Sequence, residues 1–147
     1  QHLFEERQDV LFVSTHQDPR TCYPGTGFAK EQGTGQGSGY TVNVPLPPGT
    51  EDEEYLYHFR TMVLPVLEEY QPQFVLVSAG FDAHRDDPLA SLNLTERSYR
   101  EVSQELRGIA EQYAGGRLVS LLEGGYDLRA LSASVREHVS VLMGEES

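Results

Sequence analysis

An α/β layered fold built on a mainly parallel sheet is the architecture this sequence predicts, on two kinds of observation. Three short runs are almost wholly apolar: VLFV at 10–13, FVLV at 74–77 and LVSLL at 118–122. Strands covered on both faces read as continuous rather than alternating apolarity, so these three are expected to be neighbours in one parallel sheet. The other observation is that segments with apolar residues at helical spacing lie between and after them, and strands alternating with helices of this length define the class.

The elements follow in chain order. Residues 40–46 alternate less clearly and read as a further, shorter strand. From 51 to 70 the apolar side chains Tyr55, Phe59, Met62, Val63, Val66, Leu67 and Tyr70 fall on one helical stripe behind an acidic first turn, with a kink expected at Pro65, which lacks a backbone donor. A second helix should be capped by Thr95, turn Tyr99, Val102, Leu106, Ile109, Ala110 and Tyr113 inward, and stop at Gly115 and Gly116. A third is expected from about 127 to 142, with Leu128, Leu131, Val135, Val139 and Leu142 on its inner face. Residues 24–39 are glycine-rich and read as one long loop.

Length and charge bound the function. A chain of 147 residues has single-domain size, enough to bury about 70% of the surface its unfolded form exposes. A formal charge of -12 repels nucleic acid and anionic membranes, whose recognition depends on clustered Lys and Arg. No long apolar span or secretory leader is present, and the single Cys22 forms no internal disulfide, which fits a reducing, cytoplasmic setting. Three confident strands are few for a sheet covered on both faces, and the chain opens at Gln1. Both lead to the expectation that an upstream portion of the same domain precedes it. Such a sheet is expected to expose an apolar edge and face, with homo-oligomerisation as the consequence.

Sites in open parallel sheets form beyond the carboxyl ends of the strands. That rule directs attention to Ser14, Thr15 and His16 after the first run, residues 80–84 after the second, and residues 123–127 after the third. Asp82, preceded by a glycine, suits metal coordination or the orientation of a base; as a loop aspartate it would equally accept a backbone N–H. His84 would share a face with Asp82 in extended backbone, or else sit behind it or at the surface. Gly124 and Gly125 let the backbone approach a ligand closely. The Tyr126 phenol that follows can donate to an oxyanion, or pack as an aromatic over the next helix. The glycine series at 25, 27, 33, 35, 37 and 39 is no phosphate loop, because it leads into a strand and carries no Gly-Lys-Ser/Thr. No Gly-x-Ser-x-Gly elbow follows a strand either, which leaves a Ser-His-Asp triad unsupported.

YPGTG at 23–27, GYTVNVPL at 39–46, SAGFDAH at 78–84 with DPL at 87–89, and LEGGYDL at 122–128 together resemble successive blocks of the zinc-dependent histone deacetylase and acetylpolyamine amidohydrolase family. The blocks come in family order and span nearly the whole chain. The resemblance implies a three-layer arginase–deacetylase fold, of which residues 1–147 would form the C-terminal part. It also implies hydrolysis of an N-acetyl amide, on acetyl-lysine or an acetylated polyamine, to an amine and acetate.

By the same resemblance Asp82 is a Zn2+ ligand and Tyr126 the catalytic oxyanion-stabilising tyrosine. Tyr23, Leu89, Gly124 and Gly125 would bind substrate along a narrow tunnel. Ser14 and Thr15 resemble a monovalent-cation site for K+ or Na+, and Phe4, Arg7, Val10 and Tyr40 resemble a second one built mostly from backbone carbonyls. The family's tandem histidines and its Asp-x-His, which supplies two zinc ligands, would lie before Gln1. The isolated chain is therefore expected to be inactive. Two other readings stay open: a non-catalytic module that keeps the fold for interaction, and a phosphate-binding α/β protein, which would need the phosphate loop that is missing.

Overall fold

The computed structural model describes residues 1–145. The chain divides into two compact units, 1–48 and 49–147.

In the first unit, β1 (Phe12–Gln17) pairs in parallel with β2 (Thr41–Leu46), in register from Phe12 opposite Thr41 to Gln17 opposite Leu46. The strand expected at 10–13 thus begins two residues later and runs on through polar residues. Ser14, Thr15 and His16 lie inside the strand rather than beyond its end. Edge polarity hides this continuation, because among the described residues β1 pairs only with β2 and its side chains from Phe12 to His16 are half-buried. A long loop joins the strands, broken by a single 3-10 turn at Gly35–Gly37.

The second unit opens with α1 (Asp52–His58), passes through a π-helical turn at Phe59–Val63, and continues as α2 (Leu64–Tyr70). The kink expected at Pro65 takes this form: proline sits in the first turn of α2 and the widened turn directly precedes it. The extra residue in that turn rotates the stripe. Leu56, Phe59 and Val63 are buried, whereas Met62 faces solvent.

Strand β3 (Val75–Ala79), helix α3 (Glu96–Tyr113) and strand β4 (Leu118–Leu122) form a parallel crossover, with Val75 opposite Leu118 and Ala79 opposite Leu122. Thr95 caps α3 by accepting the Arg97 N–H, and Gly116, at φ +77°, closes the helix by donating to the Ala110 carbonyl at 2.8 Å. The core joins Val75 to Ile109, Ala110 and Ala114, with Val77 and Leu118 packed against it. Asp52 fastens α1 to the start of α3: its carboxylate accepts from the Thr95 N–H at 2.9 Å and from the Thr95 and Ser98 hydroxyls at 2.6 Å each.

Two expectations are corrected here. The three apolar runs do not share one sheet, since β1 finds its partner in β2 and β3 pairs with β4. Nor is β3–β4 covered on both faces: Leu76, Val119 and Leu121 are exposed on the side away from α3.

Helix α4 (Leu128–Met143) is capped by Asp127, whose carboxylate accepts from the N–H groups of Arg129 and Ala130. Its buried face is Ala130, Ser134, His138 and Val141, rather than the leucine and valine stripe expected; Leu128 and Val139 are exposed. The small residues admit close approach, and His138 is buried because both ring nitrogens find partners. Nδ1 bonds the Ser103 hydroxyl at 2.6 Å and Nε2 the Ser120 hydroxyl at 2.8 Å.

Candidate functional site

Parallel pairing brings the carboxyl ends of β3 and β4 to the same edge of the second unit, and the main chain ties the two turns that follow: the Phe81 N–H donates to the Gly124 carbonyl at 2.9 Å. Asp82 stands on the first turn, half-buried, directly over Gly124. A Cβ built on Gly124 would lie 2.8 Å from Asp82 Oδ2 and 2.9 Å from its Cγ, and one on Gly80 would lie 3.1 Å from Oδ1. The carboxylate therefore rests in a groove that two glycines leave open. Burial, with a smaller contribution from the charge of Asp87, pushes the Asp82 carboxyl above its ordinary value. No cationic side chain pairs with it among the described residues.

Gly125 has φ +137°, and a Cβ there would meet Leu131 Cδ1 at 2.8 Å and Phe81 Cβ at 3.2 Å, so this position needs glycine on both conformational and steric grounds. Tyr126 follows it, 56% exposed. The phenol has no hydrogen-bond partner among the described residues, and its ring does not cap α4 as a buried aromatic would. Leu89 is also exposed.

Between these positions lies a residue that the motif contains but to which no role attached, Asp87. It is buried, and one oxygen accepts the Tyr126 N–H at 2.8 Å while the other accepts the Leu89 N–H at 2.9 Å. The local half of this arrangement was available from the Asp-Pro-Leu order, which favours a turn closed on the aspartate. The half that reaches Tyr126, 39 residues on, left no local sign.

His84 is neither a surface residue nor extended beside Asp82. The chain turns at 82 and 83, and His84 is buried, bridging Leu94, with Nδ1 accepting the Asp86 N–H at 3.1 Å. Its Nε2 lies 3.6 Å from a Glu96 carboxylate oxygen.

In the first unit, Tyr23 is fully presented to solvent, ahead of a cis peptide to Pro24. Ser14 contacts His16, whose Nδ1 lies 2.8 Å from the serine hydroxyl and whose Nε2 lies 2.8 Å from the Gly27 carbonyl. A carbonyl only accepts, so Nε2 carries the proton and Ser14 donates to Nδ1. Thr15 lies next to Ser14 within β1. The Phe4 carbonyl accepts the Arg7 N–H and the Tyr40 carbonyl accepts the Phe12 N–H, each at 2.9 Å, while Val10 lies just before β1.

Among the described residues no group of three His, Cys, Asp or Glu side chains is arranged to hold a metal ion, and no helix is long and apolar enough to cross a membrane.

The α/β architecture with parallel strand pairs is that of the arginase–deacetylase fold. Superposition supports this: the histone deacetylase Clr3 matches over 99% of this chain with a TM-score of 0.92 and 38% identity, the aligned part being 25% of that chain. The acetylpolyamine aminohydrolase of Burkholderia pseudomallei matches over 98% of this chain and 41% of its own, with a TM-score of 0.86 and 32% identity. Residues 1–142 match the family described as histone deacetylase domain, and the chain belongs to that family. A probable deacetylase of Archaeoglobus fulgidus is 51% identical over 128 residues, which are 87% of this chain and 35% of that protein. The chain thus spans a minor part of each relative's length.

Proposed function

We propose that this chain forms one side of the active site of a zinc-dependent deacetylase that hydrolyses N-acetyl amides on lysine side chains or polyamines. The observation that carries the reading is the Asp82 carboxylate: half-buried, with no cationic side chain beside it among the described residues, and seated against Gly124 two residues before Tyr126. Among the described residues a backbone N–H offsets part of the burial of this carboxylate but no cationic side chain does, which is the condition a bound cation relieves.

These residues fit one arm of a zinc site rather than a whole one. Asp82 would hold the ion, with further ligands from the Asp-x-His expected upstream, since catalytic zinc takes three protein ligands. Zinc, when bound, polarises an acetyl carbonyl and lowers the pKa of a bound water. The chain's own part is to orient. Tyr126 would donate its phenolic proton to the oxygen that becomes negative at the tetrahedral stage. Gly124 and Gly125 would let the backbone lie close to the acyl group. Leu89 would flank its aliphatic chain, and for Tyr23 a substrate-binding role rests on the family resemblance alone. The relatives' names support both substrate classes: one is a histone deacetylase and another an acetylpolyamine aminohydrolase. A net charge of -12 suits approach of either cationic substrate. K+ or Na+ near Ser14 and Thr15, and near the carbonyls of Phe4, Arg7, Val10 and Tyr40, is part of the same proposal.

Zinc content by elemental analysis and turnover of an acetyl-lysine peptide test it. The chain joined to its upstream region should bind one zinc and deacetylate, and Asp82→Asn should abolish both. The isolated chain should do neither. Tight zinc and turnover by the isolated chain would overturn the division of ligands; a zinc-free, inactive joined protein would favour a non-catalytic module. The exposed Leu76, Val119 and Leu121 support self-association of the isolated chain, which sedimentation at increasing concentration would reveal.

A further inference from the structure

Neither Tyr126 nor Leu89 is held by packing: their side chains are 56% and 68% exposed. Two glycines precede Tyr126, so its backbone is also less restrained than that of most residues. Beside the main-chain bond from the Phe81 N–H to the Gly124 carbonyl, what joins the two positions directly is one carboxylate. Asp87 is 8% exposed and carries no ion pair among the described residues. Its Oδ1 takes the Leu89 N–H at 2.9 Å and its Oδ2 the Tyr126 N–H at 2.8 Å, while its own N–H donates to the His84 carbonyl at 2.9 Å.

Burying an anion is costly, and a lone turn does not require it, since one oxygen suffices to close an aspartate turn. The arrangement makes sense only if both oxygens are needed as acceptors. An asparagine amide offers one acceptor and would turn its NH2 group towards the other N–H. The charge is thus explained by its two main-chain donors, one local and one 39 residues away.

We propose that Asp87 is a positioning residue for the reaction, a clamp that sets the Tyr126 turn and the Leu89 turn at a fixed separation and so aims the phenol relative to the substrate channel. The clamp rests on the reading of Tyr126 given above. Asp87 itself touches no reacting atom; it acts through the main chain of Tyr126.

Amide hydrogen exchange and kinetics test it together. In the wild-type chain the Tyr126 amide should be protected despite its exposed loop, and Asp87→Asn should speed its exchange about 10-fold or more while the amides of α3 are unchanged. Asp87→Ser, whose hydroxyl still closes the local turn but is too short to reach Tyr126, should do the same and carries the test if the asparagine variant does not fold. In the form of the protein that turns over an acetyl-lysine peptide, either variant should lower kcat by about 100-fold, the scale of a misplaced catalytic group. In a Tyr126→Phe background the same change should have no further effect on kcat, because the group it aims is gone. An unprotected Tyr126 amide in the wild type, or an equal loss of kcat in the Tyr126→Phe background, would overturn the clamp. If no form deacetylates, the deacetylase reading fails, and the exchange measurements alone decide whether Asp87 holds the two turns.

Discussion

Gly124 and Asp82 share a space that only one of them can fill: a Cβ on the glycine would sit 2.8 Å from the aspartate's Oδ2. The atom in the way is the end of a side chain rather than backbone, and Gly124 has no left-handed φ, so the fold can yield where the site cannot. Gly124→Ala should therefore leave the melting temperature within a few degrees of wild type, as a change below about 1 kcal/mol implies. Zinc affinity and turnover of the joined protein should fall, because the carboxylate must swing aside. Calorimetry beside zinc titration would separate the two effects.

Gly125→Ala should behave in the opposite way. At φ +137° the backbone is one that L side chains rarely adopt, and the added methyl would press on Leu131 and Phe81. Strain and overpacking together should cost about 2 to 4 kcal/mol, read as a lowered midpoint in urea.

Tyr126→Phe removes only an oxygen, and that oxygen has no partner among the described residues. Stability should be unchanged, while kcat of the joined protein drops by about 100-fold or more with little change in KM, the pattern of a donor used at the transition state. Steady-state kinetics on an acetyl-lysine peptide would show it; an unaltered kcat would remove Tyr126 from the mechanism.

His138 makes the fold sensitive to acid. Burial lowers its pKa below the usual 6.5, so the folded chain binds fewer protons there than the unfolded one. Its stabilising contribution is complete above 6.5 and is lost as pH falls from 6.5 towards the folded value. Melting temperatures measured between pH 8 and pH 5 should fall more steeply for wild type than for His138→Gln, the difference opening only below about pH 6.5.

How much of this was legible in the sequence depended on whether a local rule was being obeyed. Strand β4 and helix α3 follow apolar run and cap rules almost residue for residue, and Thr95, Asp127 and Gly116 act at the ends of helices as their chemistry dictates. The edge that carries Asp82 and Tyr126 follows from strand direction once β3 and β4 are parallel. Besides the sheet pairing and the rotated stripe at Met62, other features broke the rules. Strand β1 continues through Ser14 to Gln17 because pairing, rather than apolarity, sustains it. The inward face of α4 is small and polar because its histidine is satisfied by two serines from other elements. Asp87 reaches across 39 residues, which no periodicity encodes.

The imidazole of His138 has a further consequence, for α4 as a rigid rod. The Ser103 hydroxyl lies 2.5 Å from the Tyr99 carbonyl, to which it must donate, so it accepts from Nδ1–H; Nε2 is then left bare to receive the proton of Ser120. The wire has a direction, strand to ring to helix backbone, and a ring turned end for end would present carbon where nitrogen is required. Two further ties join α4 to α3, the Arg100–Glu137 ion pair at 2.8 Å and the Arg107 guanidinium donating to the Val141 carbonyl at 3.1 Å. With them the polarised ring keys the cylinder like a splined shaft, and the turn carrying Tyr126, just ahead of its first residue, starts from that angular setting.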